Sequence, residues 1–178
     1  KGVNYLDLGL SPLPYAHYAH GITDSFDAGG IFELQFGYTA ALYGKYSLLD
    51  NAEDGVSVAA VAGGGVGVSG FLDTTYLFVG PTVSYRQKKI EFFIHPRFTH
   101  VRYDDIEPDD TTSDEDDDDD NSSVDLDKID GGSFNYTQLS FGVNLHLKQV
   151  SFGVTGVTWI GDEVIFDAAP GVNVQFKF

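Results

Sequence analysis

The chain contains no cysteine and no methionine among its 178 residues. The lack of cysteine excludes disulfide bonds and thiolate metal sites. No stretch approaches 18 consecutive apolar residues, so the sequence predicts no transmembrane helix. Only ten residues are Lys or Arg, and they form no basic face, so binding to nucleic acid through its phosphates is not expected. Because the sequence starts at Lys1 rather than Met, we expect a secretory signal to have been removed.

The formal net charge of -17 is concentrated in one segment. Fifteen of the 27 acidic residues lie between Asp104 and Asp130, together with a single Lys. The rest of the chain holds twelve acidic and nine basic residues and is nearly balanced. The acidity is therefore a property of one loop rather than of the whole fold.

The C-terminal segment, residues 164–178, alternates between apolar and mostly polar side chains. Successive side chains of a β-strand point to opposite faces, so this segment predicts a strand with one apolar face. A membrane-spanning strand needs about 9–11 residues that are apolar toward lipid and polar toward a lumen. The apolar set is Val164, Phe166, Ala168, Pro170, Val172, Val174, Phe176 and Phe178.

The same period of two recurs from residue 26 to residue 160, and each charge inside these runs falls on one side of its strand. Two more strands are expected within the first 24 residues, where Pro12 and Pro14 restrict pairing. We therefore predict an all-β fold, a closed antiparallel up-and-down transmembrane β-barrel. Ten strands are preferred and eight are the alternative. A single domain spans residues 1–178, with a long acidic loop over residues 104–132.

The end of the chain carries a more specific signal. Gly171, Val174, Phe176 and the terminal Phe178 occupy the positions of a known pattern, and the ending resembles the C-terminal assembly signal of Gram-negative outer-membrane β-barrel proteins. Ala169 departs from it, because a polar residue is common there. The resemblance implies a multi-pass protein of the cell outer membrane, surrounded by lipids and lipopolysaccharide and inserted by the barrel-assembly machinery. It implies no activity.

The lengths of the connections predict an orientation. Residues 21–24, 50–55, 87–89 and 148–149 form short connections, whereas residues 104–132 form the longest one. Outer-membrane barrels have short periplasmic turns and longer extracellular loops. The acidic loop is therefore expected outside the cell and the C-terminus in the periplasm.

The polar sides of the strands carry charges of both signs. In a barrel of about eight to ten strands such side chains fill most of the interior, and buried charges require partners. We expect a network of ion pairs that fills the lumen, and a narrow solute path is the alternative. Its predicted members are Asp27, Glu33, Lys45, Arg86, Glu91, His95, Arg97, His146, Asp167 and Lys177.

Two further features invite functional interpretations. His95, His100 and His146 are candidates for a hydrolytic or lipid A-modifying enzyme, but no serine motif accompanies them, so we predict a protein that is not an enzyme. Oxygen ligands in the acidic loop suit Ca²⁺, although the EF-hand spacing is not met. A solvated loop and a docking surface for a basic partner are the alternatives. The candidate Ca²⁺ ligands are Asp116, Asp118, Asp125, Asp127 and Asp130, and Ca²⁺ is the only cofactor that the sequence suggests.

Taken together, these patterns predict a barrel with a mostly filled lumen. Its expected role is that of a non-catalytic membrane anchor or surface-interaction component, with a protein partner in an envelope assembly. A narrow porin-like channel for small solutes or cations is the alternative function.

Overall fold

The computed structural model describes residues 2–11, 13–34, 37–51, 54–69, 72–104, 131–161 and 168–178. These residues form ten β-strands in chain order. The strands are β1 (Asn4–Leu10), β2 (Pro14–Gly21), β3 (Phe26–Glu33), β4 (Tyr38–Leu49), β5 (Gly55–Ser69), β6 (Leu72–Gln87), β7 (Ile90–Tyr103), β8 (Gly132–Leu147), β9 (Val150–Gly161) and β10 (Ala169–Lys177). Among the described residues no helix is long and apolar enough to cross a membrane.

Each strand pairs antiparallel with its neighbours in sequence, and β1 pairs with β10 to close the barrel. The predicted closed up-and-down barrel of ten strands is therefore confirmed, and the eight-stranded alternative is wrong. Closure removes both sheet edges, so every strand has two hydrogen-bonding neighbours.

The two ends of the barrel differ. We call the end that carries both chain termini and the connections after β2, β4, β6 and β8 the turn end, and the opposite end the loop end. The strands β1, β2 and β3 have seven or eight residues, whereas β5 to β8 have 14 to 16. The wall formed by β5 to β8 is therefore built from the longest strands.

The outer surface is an apolar belt made by alternate residues of the strands. Leu42, Leu77 and Val154 are 76%, 67% and 65% exposed, and a large contiguous apolar surface of this kind is rare on soluble monomers. On β7 the outward residues from Ile90 to Phe98 are apolar. Lipid would cover this belt. Its other exposed members include Leu8, Phe32, Val66, Val79, Phe92, Phe141, Val143, Leu145, Phe152, Val172 and Phe176.

One strand departs from the simple alternation expected from the sequence. The register between β4 and β5 shifts between Ser47 and Leu49, opposite Ala59 and Val58. A bulge adds one residue to one strand and re-aims the side chains around it. The extra residue is in β4, since Ser47 and Leu49 face the consecutive residues Ala59 and Val58, whereas β5 keeps an unbroken register with β6.

The interior near the loop end is a hydrophobic cluster, which we call the aromatic core. Tyr76 and Phe78 stack at 6.2 Å between ring centroids, and Phe134 and Tyr136 stack at the same distance. The aliphatic side chain of Val101 is only 7% exposed. The remaining members are Ile31, Ala41, Val61 and the partly buried Tyr43. This packing fixes the inward side chains of β3 to β8 and so positions the polar groups beside it.

Candidate functional site in the barrel lumen

The lumen holds a cavity of about 1130 Å³. Its walls reach both ends of the barrel, from Lys89 and Lys148 in turns at the turn end to Ser11 and Leu13 in the connection between β1 and β2 at the loop end. Nine predicted members of the lumen network line this cavity. They are Asp27, Glu33, Lys45, Arg86, Glu91, His95, Arg97, His146 and Lys177.

A buried ion pair crosses the lumen, and we call it the cross-lumen bridge. Arg97 on β7 donates from both terminal nitrogens to the two carboxylate oxygens of Glu33 on β3, each at 3.2 Å. Three strands separate β3 from β7 on one side and five on the other, so the pair joins nearly opposite walls. The side chains are 9% and 13% exposed. Two-point pairing of a guanidinium with a carboxylate is among the strongest arrangements available to charged side chains.

Neighbouring side chains extend the bridge at both ends. His17 on β2 lies 3.1 Å from Glu33 through its Nε2 atom, and Arg97 also donates to the Gln138 side-chain oxygen on β8. The Arg97 guanidinium lies 5.3 Å from the ring centroid of Phe78, so it also contacts the aromatic core. Together these contacts link β2, β3, β6, β7 and β8 through one network.

A second network lies at the turn end. His146 contacts Glu91 through Nε2 and Ser151 through Nδ1, each at 2.7 Å. His146 and Ser151 face each other across the hairpin between β8 and β9. The connectivity of serine, histidine and carboxylate matches that of an activated nucleophile, but Ser151 is only 7% exposed. The arrangement ties the hairpin to β7.

The other predicted lumen residues have separate partners. Lys45 and Asp27 form an ion pair at 3.4 Å on adjacent strands. His95 lies 2.8 Å from the Thr82 hydroxyl, Arg86 donates to the backbone oxygen of Lys88, and Lys177 lies 5.7 Å from the Tyr5 ring centroid. His100 is exposed on the outer face of β7, where it contacts Asn135 at 2.9 Å.

Several predicted residues lie outside the described part of the chain. Asp167 belongs to this group, as do the candidate Ca²⁺ ligands at Asp116, Asp118, Asp125, Asp127 and Asp130. Within the described ranges no group of three or more His, Cys, Asp or Glu side chains is arranged to hold a metal ion. The residues of the predicted assembly signal lie on or beside β10, with Phe176 in the apolar belt and the Phe178 backbone N–H donating to the Asn4 backbone oxygen at 3.0 Å.

Sequence reasoning missed uncharged and short polar members of the lumen. Gln138, Asn144 and Asn173 are inward partners of the charged residues, and Ser151 is one of the few buried polar residues. These residues alternate with apolar neighbours, as inward residues do, and that alternation was the available signal. Amides and hydroxyls also occur on exposed faces of strands, so the alternation alone does not distinguish lumen residues from exposed ones.

An apolar outer surface, a polar lumen and closure between β1 and β10 occur together in this chain. The chain therefore has the fold of a closed ten-stranded antiparallel up-and-down β-barrel. Among solved structures, the N-terminal β-barrel domain of OprF from Pseudomonas aeruginosa is similar, with 9% identity and a TM-score of 0.41, over 100% of this chain and 98% of that one. The KdgM porin in complex with disordered oligogalacturonate gives 8% identity and a TM-score of 0.44, with 99% of each chain covered. The sequence matches no protein-family model and no curated relative.

Proposed function

We propose that this protein is an integral outer-membrane barrel with a closed lumen that acts as a non-catalytic membrane anchor or surface-interaction component of an envelope assembly. The observation that carries the proposal is the cross-lumen bridge between Glu33 and Arg97. Side chains that meet from nearly opposite walls obstruct the path along the barrel axis. Opening this path requires separation of a buried, doubly hydrogen-bonded ion pair, which is costly.

The proposed role is non-catalytic because the best nucleophile candidate is committed to structure. The Ser151 hydroxyl lies within a tight hairpin, and the residue is only 7% exposed, which leaves little access for a substrate. The proposed surroundings are outer-membrane lipids and lipopolysaccharide at the apolar belt, with the barrel-assembly machinery as partner during insertion.

Conductance in planar lipid bilayers tests the closed lumen. We expect no steady single-channel steps from the natural protein, because the bridge holds two walls together across the lumen. The double variant Glu33→Ala/Arg97→Ala removes both ends of the bridge and is expected to produce resolved conductance steps. The matched control is Asp27→Ala/Lys45→Ala, which removes an ion pair between adjacent strands and should remain silent.

A narrow channel is the second candidate, because residues near both ends of the barrel line the same cavity. That lining contains six carboxylates and six Lys or Arg side chains, so with neutral histidines it favours neither sign of ion overall. Steady steps from the natural protein that persist in both double variants would replace the closed-lumen proposal with this one.

The proposal includes an orientation, in which the acidic loop is extracellular and the turn end faces the periplasm. Because the chain has no cysteine, single cysteines are unambiguous reporters. A membrane-impermeant maleimide added to intact cells should label Ser122→Cys in the acidic segment and leave Gln149→Cys in the turn between β8 and β9 unlabelled. After the outer membrane is permeabilised both should react. Labelling of Gln149→Cys alone in intact cells would reverse the proposed orientation.

A further inference from the structure

Two asparagine side chains converge over a glycine in the lumen. Asn144 on β8 and Asn173 on β10 are both register partners of Gly153, which lies between them on β9. The side-chain oxygens of both asparagines lie where a Cβ atom on Gly153 would be. The glycine therefore creates the space into which both oxygens point.

The orientation of both amides follows from their partners. Asn144 donates from Nδ2 to a Glu91 carboxylate oxygen at 3.4 Å, and Asn173 donates from Nδ2 to an Asp7 carboxylate oxygen at 3.1 Å. An ionised carboxylate only accepts hydrogen bonds, so the amide nitrogens must face Glu91 and Asp7. The two oxygens must then face the space above Gly153.

Neither oxygen has a hydrogen-bond donor among the residues that the structure describes, and both atoms are buried. Asn173 is only 9% exposed. A buried acceptor without a partner costs about 1–3 kcal/mol, and here two such acceptors share one small volume. The carboxylates behind them polarise each amide and make its oxygen a better ligand, as outer partners do in known ion sites.

We propose that Asn144 and Asn173 bind an alkali-metal cation above Gly153, with Asp7 and Glu91 holding the two amides in place. Hard cations prefer oxygen ligands, and carbonyl oxygens are the ligands by which channel proteins coordinate monovalent cations. A cation at this point would link β7, β8, β9, β10 and β1, including the seam where the barrel closes. The site is independent of the acidic loop and of the cross-lumen bridge.

Thermal unfolding of the full chain in detergent micelles tests the site, with NaCl and KCl each compared with N-methyl-D-glucamine chloride at equal ionic strength. A cation at a concentration ten times its dissociation constant should raise the thermal unfolding midpoint of the natural protein by roughly 3–6 °C. The variant Gly153→Ala should lose this rise, because the new methyl group displaces the amide oxygens. The new Cβ would meet the ends of two flexible side chains rather than the backbone, so the barrel should still fold.

The matched control is Gly30→Ala, where a Cβ would meet nothing closer than 3.7 Å, and it should keep the full rise. Crystals of the natural protein soaked in Tl⁺ should give an anomalous peak between Asn144 and Asn173, a result that needs no variant. A bridging water without a Tl⁺ peak would overturn the proposal. So would a midpoint that is the same in all three salts, or a rise that survives in Gly153→Ala.

Discussion

The variant Glu33→Gln is expected to lose about 3–5 kcal/mol of unfolding free energy, the usual cost of removing one partner from a buried ion pair. The substitution keeps the shape of the side chain but leaves the Arg97 guanidinium, 9% exposed, without a counter-charge. The measurement is urea-induced unfolding of the barrel from lipid vesicles, followed by tryptophan fluorescence. Trp159, the only tryptophan, is buried and lines the lumen cavity, so its emission reports on the lumen.

Three further variants distinguish the energetic contribution of the cross-lumen bridge from the effect of losing any one charge. Arg97→Met should cost less than Glu33→Gln, because Glu33 keeps His17 as a partner. The double variant Glu33→Leu/Arg97→Met should recover much of the loss, since no buried charge is left alone. Lys45→Met should change stability by at most about 1 kcal/mol, because its pair with Asp27 is more exposed. Equal losses for Glu33→Gln and Lys45→Met would show that the bridge has no special energetic role.

The fold was predictable from the sequence because strands with one apolar face, in a sheet that must pair every backbone group in lipid, leave few alternative folds. Alternation along β7, from Ile90 to Phe98 outside and from Glu91 to Arg97 inside, assigns each side chain to one face. Such a strand can satisfy its backbone in a membrane only within a closed sheet. The bulge in β4 was not predictable, because an extra residue between Ser47 and Leu49 leaves no mark on the amino-acid sequence there.

The candidate site was predictable only in part. The alternation of side chains along β3 and β7 assigns Glu33 and Arg97 to the interior. It does not predict that they form a pair, because 64 residues and three intervening strands separate them. Their meeting depends on the tilt and stagger of the strands, which the barrel as a whole sets. Local pairs such as His146 with Ser151 depend instead on the register of one hairpin. That register follows from the two-residue turn and was in principle within reach of the sequence.

Arginine placed in the middle of the apolar belt is expected to be the second most damaging change. Val143 is the central outward residue of β8 between Leu139 and Leu147 and is 40% exposed. If hydrocarbon covers this face, Val143→Arg should cost about 2–4 kcal/mol, as charged side chains do at the bilayer midplane. Unfolding from vesicles by urea measures the loss directly.

The control for this prediction uses the same strand and the same outward face. Asn135 lies eight residues closer to the loop end than Val143, beside the exposed His100 and opposite it in register. Arginine at Asn135 should change stability by about 0–1 kcal/mol, the value near the membrane interface. Because both variants add one identical side chain to one strand, the difference between them reports the medium around the barrel. Equal effects at the two positions would mean that water, and not lipid, surrounds the apolar belt, and the proposed membrane location would then be wrong.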